Sequence, residues 1–186
     1  MKIDQVHTTD AKKLTKLAMR SKGHWKYGPL QIDKWKVELT ITPDYILQNQ
    51  VYQLKVDHKL IGFYAFNVVK GKKVVLDFLF VEPAYIGKGY GKMLLNDLLQ
   101  RMLKTDYACI LLDADPHAEK FYERHGLSYL PGTVIGITEM LKLNALIYIK
   151  GSCSHDVFDN FPLGVVFGIL LHIILIGALY TFVYRR

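Results

Sequence analysis

The sequence predicts an α/β domain on a mixed sheet flanked by helices, followed by a hydrophobic helix at the C-terminus. Three observations carry this. Apolar residues along positions 1–150 recur alternately at strand spacing and at helix spacing. A glycine-punctuated loop, Ile86-Gly-Lys-Gly-Tyr-Gly91, joins a strand directly to an amphipathic helix. Residues 161–184 form a stretch of 24 positions without a formal charge.

Thr8-Thr-Asp-Ala reads as a helix start, with Asp10 placed to cap the free amides that follow. Leu14, Leu17 and Ala18 then recur on one helical face. Gly23 and Gly28 interrupt the chain, and positions 30–39 carry a second helical pattern. Positions 51–56 alternate as a strand, Asp57-His-Lys is a turn, and positions 60–69 form the hairpin partner. A third strand over positions 74–81 stops at Glu82-Pro83. The helix after the glycines has an apolar stripe of Leu94, Leu95, Leu98, Leu99 and Met102, with Lys92, Asp97, Gln100 and Lys104 on its wet side. Positions 107–112 make a short strand, Pro116 opens a helix that Gly126 closes, and positions 144–150 are the last strand.

Composition narrows the function. The chain has 186 residues, 51% hydrophobic and 22% charged, enough for one core and a little more. Its two cysteines, Cys109 and Cys153, make no disulfide framework, and seven scattered histidines show no metal-ligand spacing. The net charge of +7 belongs entirely to residues 1–150, because the tail balances Asp156 and Asp159 against Arg185 and Arg186. No interleaving of basic and aromatic residues points to nucleic acid. The first ten residues are too polar for the apolar core of a signal peptide, so a cytoplasmic domain is expected.

The chemistry concentrates at positions 76–92. Glycines 87, 89 and 91 let the backbone approach a ligand, and the amides of the helix start favour a phosphate there. Lys88 and Lys92 add positive charge. The spacing is not that of a P-loop, since no Lys-Ser/Thr pair ends it. A dinucleotide fingerprint is a competing reading, with Asp113 or Asp115 as its acidic residue, and an ordinary tight turn is another.

A second segment runs from Asp113 through Pro116-His-Ala to Phe121-Tyr122 and Gly126. Together with Val81-Glu-Pro and Gly87-Lys-Gly-Tyr-Gly91 it resembles the GNAT superfamily of acetyl-CoA-dependent N-acetyltransferases. Arg20-Ser-Lys-Gly-His-Trp-Lys-Tyr27 is similar to a segment of a bacterial subgroup, with Lys26 in place of Gly. The likeness covers about residues 1–130. His117 stands where the family has Asn, and the subgroup's Pro-Gly-Arg element is absent beyond Gly132.

The resemblance implies a mixed, mostly antiparallel central sheet and transfer of an acetyl group from acetyl-CoA to a primary amine. It places Leu79, Phe80 and Val81 against the pantetheine arm and the thioester. It places Gly87, Lys88, Gly89, Tyr90, Gly91 and Lys92 around the pyrophosphate. Tyr122 maps to the proton donor for the leaving thiolate, although an aromatic at helical spacing from Ala118 equally reads as core. Asp77 and Glu82, near the two ends of one strand segment, are the candidate bases. His24 and Trp25 are candidates to line the acceptor pocket. No metal is implied. The alternative function is a non-catalytic acyl-CoA-binding or membrane-tethered module on the same fold.

The domain is expected to end near residue 150, leaving 151–186 as linker and tail. As a helix, residues 161–184 would be ~36 Å long against a hydrocarbon core of ~30 Å. Gly164 and Gly168 have the small-residue spacing of packed membrane helices. The tail is therefore expected to span a membrane with the domain on the cytosolic side. An oligomer-forming helix and an altered reading frame are the competing accounts.

Overall fold

Lys2–Gln5, a stretch that carries no apolar alternation, forms the first strand, β1. The structure, a computed structural model, describes residues 1–25, 27, 35–69, 73–105, 107, 109–129 and 144–149. Met1–Gly151 makes one compact unit. The expected tail helix over 161–184 lies outside the described residues. Among the described residues no helix is long and apolar enough to cross a membrane.

The elements follow in the order β1, α1 (Ala11–Gly23), α2 (Pro43–Gln48), β2 (Gln50–Val56), β3 (Lys59–Val69), β4 (Lys73–Val81), α3 (Tyr90–Leu103), β5 (Cys109–Ala114), α4 (Glu119–Glu123), β6 (Ser128–Tyr129) and β7 (Asn144–Ile149). The sheet order is β1-β2-β3-β4-β5-β7-β6. Every pairing is antiparallel except β4 with β5, which α3 connects as a parallel crossover. The expected mixed, mostly antiparallel sheet with flanking helices is therefore present.

Two cores sit on opposite faces of this sheet. On one, Leu94, Leu95, Leu98 and Met102 of α3 and Tyr122 of α4 pack on Leu54, Tyr64, Val74, Leu76 and Ile110. On the other, Leu14, Leu17 and Ala18 of α1 and Ile46 of α2 pack on Val51, Phe63 and Ala65. Val74 and Leu76 face the α3 side, yet so do Leu79 and Val81, while Phe78 and Phe80 face the α1 side. The change of phase has a cause. Ala65 pairs with Phe78 and Phe66 with Leu76, so Asp77 is an extra residue, a β-bulge that re-aims everything after it.

Several expectations need correction. Asp10 stands at the N-cap position of α1 but makes no cap bond. Its carboxylate instead accepts from Lys13 Nζ at 2.7 Å and from the buried Gln53 Nε2 at 3.4 Å. The helix expected over 30–39 is helical at 35–38, where the Leu39 amide donates to the Trp35 carbonyl at 2.8 Å, and 30–34 lie outside the described residues. Pro116 begins a turn, and α4 itself starts at Glu119. Asp97 is not on a wet face, because the Tyr64 hydroxyl and the Arg101 guanidinium donate to it at 2.6 and 2.8 Å. The turn at Asp57-His58 is as expected, and both residues take left-handed backbone angles.

Candidate functional site

Strands β4 and β5 are in register only from Lys73–Cys109 to Leu76–Leu112. From the bulge at Asp77 onward, β4 keeps its partner on the β3 side and, among the described residues, has none on the β5 side. Backbone amides and carbonyls of residues 77–81 that point toward β5 are left without a strand partner among the described residues. A sheet interior does not normally leave such groups open. Here they border a cleft of about 920 Å³.

The glycine loop stands at the far end of this parted strand. Gly87 and Gly89 have φ of +78° and +87°, and a Cβ added at either would meet no atom within 4 Å. Each therefore needs the left-handed region and faces open space. Gly91 is different. Its backbone is ordinary and an added Cβ would touch the Phe121 ring at 3.5 Å, so close packing on α4 accounts for it. The Met93 amide makes its helical bond to the Gly89 carbonyl, which leaves the amides of Tyr90, Gly91 and Lys92 as donors of the α3 start without a backbone partner among the described residues. Amides, helix dipole and Lys92 together make an anion cradle.

The cleft brings together Asp77, Leu79, Phe80, Val81, Gly87, Gly89, Gly91, Lys92 and Tyr122 from the sequence-derived set. Lys88, Tyr90 and Glu82 are not among its lining residues. The Lys88 ammonium lies 5.3 Å from the Tyr85 ring, and Tyr90 meets that ring edge-on at 5.5 Å. Both carboxylate oxygens of Glu82 accept from Arg20, at 2.9 and 2.7 Å. That guanidinium holds the Glu82 carboxyl below its usual range, against a smaller opposing effect of burial.

Asp77 is in the opposite condition. It is exposed to the cleft and accepts from the Tyr45 hydroxyl at 2.6 Å and Asn67 Nδ2 at 2.9 Å. Desolvation by its surroundings raises its pKa, and the two hydrogen bonds only partly reverse this. Tyr122 is 7% exposed, and burial, helped by the charge of Asp115, pushes its hydroxyl to a higher pKa. The phenol is therefore protonated at neutral pH. Among the described residues its hydroxyl has no hydrogen-bond partner.

Sequence reasoning missed part of the site. Tyr45, Glu38, Lys22 and Asp115 line the cleft alongside Trp25, whereas His24 is not among its lining. Tyr45 had a legible signal, because Thr42 caps α2 through the Tyr45 amide and Pro43 follows at the first helical position. The pairing of Lys22 with Asp115 had none, since they are 93 positions apart and meet only in the fold. The antiparallel neighbours of β4 and β5 contradict the dinucleotide-binding alternative, which needs an extended parallel sheet. Among the described residues no group of His, Cys, Asp and Glu is disposed to hold a metal.

Comparison with known proteins agrees with this geometry. Solved structures share the fold: the PaiA N-acetyltransferase of Thermoplasma acidophilum in complex with coenzyme A is similar with a TM-score of 0.68 and 19% identity, over 80% of this chain and 98% of that one. The ribosomal-protein-S18-alanine N-acetyltransferase of Escherichia coli is similar with a TM-score of 0.59 and 19% identity, over 84% and 98%. An uncharacterized N-acetyltransferase ycf52 of Pyropia yezoensis is 25% identical over 113 residues, 61% of this chain and 63% of the relative. Its counterpart in Gracilaria tenuistipitata var. liui is 26% identical over 113 residues, 61% and 60%. The chain thus spans about three-fifths of the length of these curated relatives. The acetyltransferase (GNAT) family model matches residues 14–127, more than half of the sequence, from within α1 to beyond α4. With the parted strand and the glycine loop inside that span, the chain belongs to the GNAT acetyltransferase family.

Proposed function

We propose that this chain is an N-acetyltransferase that transfers the acetyl group of acetyl-CoA to a primary amine. The observation that carries this reading is the parting of β4 from β5 beyond Leu76, with the glycine loop at the end of the parted strand. The open amides of the α3 start and Lys92 suit the pyrophosphate, and the open space above Gly87 and Gly89 is what a closely approaching anion requires. Lys88 and Tyr90 both meet the Tyr85 ring beside the loop. The backbone groups of Leu79 and Val81 face the parted side, with Phe80 between them paired to Phe63 of β3, and they suit a pantetheine amide and a thioester carbonyl, which fixed dipoles would polarise.

The remaining work is proton transfer. Asp77, with its raised pKa and a hydroxyl donor orienting it, takes the proton of the incoming amine. The nitrogen–acetyl bond forms as the carbon–sulfur bond breaks. Tyr122, buried and protonated, then gives its proton to the departing thiolate. Glu82, committed to Arg20 with both oxygens, is assigned to holding the end of β4 rather than to the base.

Thiol release from acetyl-CoA with a panel of primary amines tests the reading, corrected for Cys109 and Cys153 and with the acetylated amine identified by mass. Amine-dependent release supports it. Acetyl-CoA binding without release under any amine would leave the non-catalytic acyl-CoA-binding module instead.

We further infer that residues 161–184 anchor the chain in a membrane. The support is their 24 uncharged positions and a helical length matching a bilayer core. Full-length protein should need detergent, and recovery as a soluble monomer without it would refute the anchor.

A further inference from the structure

Two side chains, one at the end of α1 and one in the segment that follows it, converge on the carboxylate of Asp115 just beyond β5. Lys22 Nζ donates to Asp115 Oδ2 at 2.6 Å, and the Tyr27 hydroxyl lies 2.9 Å from both Asp115 oxygens. Lys22 and Asp115 are both largely buried. Burial alone would raise the Asp115 pKa, but the Lys22 ammonium, the His117 amide and the Tyr27 hydroxyl outweigh it and hold the group ionised. The contact is reinforced by rings. Trp25 stacks on His117 at 4.7 Å with planes 4° apart, and the Lys22 ammonium sits 4.3 Å from the Trp35 ring centre.

Asp115 also builds the start of the helix that carries Tyr122. Its Oδ1 accepts from the His117 amide at 2.9 Å, and its carbonyl accepts from the Ala118 amide at 2.8 Å. The Ala118 carbonyl in turn accepts from the amides of Phe121 and Tyr122. A continuous chain of bonds thus runs from the end of α1 through one carboxylate to the backbone of Tyr122.

We propose that Asp115 is a positioning residue that ties the segment following α1 to the start of α4, so that the acceptor-side wall of the cleft and the Tyr122 hydroxyl are set as one unit. The tie itself stands on the geometry, and its catalytic consequence rests on the acetyltransferase reading. Asparagine at 115 keeps an oxygen for the His117 amide but removes the charge that binds Lys22. Arginine at 22 keeps the ion pair, and methionine at 22 removes it while keeping the stem on Trp35.

Two measurements test this on the full chain. The first does not need turnover. The chain's two tryptophans, Trp25 and Trp35, both touch this cluster. Acrylamide should quench their emission more strongly in Asp115→Asn and Lys22→Met than in the parent, and no more strongly in Lys22→Arg. Unchanged quenching in both folded variants overturns the tie, whatever the enzyme does. The second measurement is kinetic. Asp115→Asn should lower kcat by about tenfold or more with little change in acetyl-CoA affinity, as expected of a misplaced catalytic group. In a Tyr122→Phe background the same substitution should cost little further, because its effect passes through that hydroxyl. A full multiplicative loss there, or an unchanged kcat in the single variant, overturns the positioning role. A parent that transfers no acetyl group counts against the acetyltransferase reading, and the fluorescence result still decides the tie.

Discussion

Gly89→Ala separates the two demands placed on the loop. Gly89 holds φ at +87° immediately before α3, and an added Cβ would meet nothing within 4 Å. No protein atom is displaced, so the cost to folding is confined to the backbone, about 1–2 kcal/mol for a non-glycine residue in the left-handed region. For a domain of this size that lowers Tm by about 2–8 °C. The methyl group would occupy the space into which the free amides of the α3 start point. Acetyl-CoA at a hundred times its dissociation constant should stabilise the parent by about 2.7 kcal/mol, or about 5–11 °C, by mass action. Thermal melts of both proteins with and without acetyl-CoA read the two effects separately. The variant should show the small intrinsic loss and no ligand shift. Gly23→Ala, at the end of α1 with open space and no positive φ, is the control and should keep the full shift. A Gly89→Ala protein that melts lower yet keeps the full ligand shift would refute the cradle.

Tyr122→Phe should reduce kcat by about 10²-fold or more while acetyl-CoA affinity holds, because only a proton donor is removed; a fall in affinity at constant kcat would make the ring a ligand contact. Asp77→Asn should lower transfer and raise Tm at neutral pH, since a carboxylate with a raised pKa opposes folding in its charged form; a lower Tm would contradict this. Asp10, Glu82 and Asp115 have lowered pKa values, from ordinary values of 3.8, 4.5 and 3.8. Their contribution is complete above those values and is lost as pH falls through the lower folded ones, so acid titration of stability should be flatter in Glu82→Gln. Gly62→Ala would place its Cβ 2.7 Å from the Phe80 carbonyl oxygen and 2.9 Å from Leu94 Cδ1, and should destabilise by about 1–3 kcal/mol in denaturant titration.

Much of this was legible in the sequence where the signal is local. The alternation of β2, the apolar runs of β3 and β4, the stripe of α3 and the loop Gly87–Gly91 are properties of neighbouring residues, and each stands where its pattern places it. β1 was not legible, because Lys2–Gln5 is a short polar edge strand whose pairing with Gln5 opposite Tyr52 is decided by β2. The bulge at Asp77 was hidden because β4 is apolar on both sides of that residue, so the extra residue changes only the face each later side chain takes. The ion pair of Arg20 with Glu82 and the cluster on Asp115 join positions 62 and 93 apart, a distance over which spacing carries no information. For the same reason Glu82 was legible as an acid beside the site while its partner was not.

The most direct measurement is calorimetric titration of acetyl-CoA into the full-length protein, followed on the same sample by assay of thiol release with primary amines. The account predicts saturable binding at one site per chain, loss of that binding in Gly89→Val, and release that depends on the amine and on Tyr122. Absence of binding to acetyl-CoA by the folded protein, or binding untouched by Gly89→Val, would contradict it.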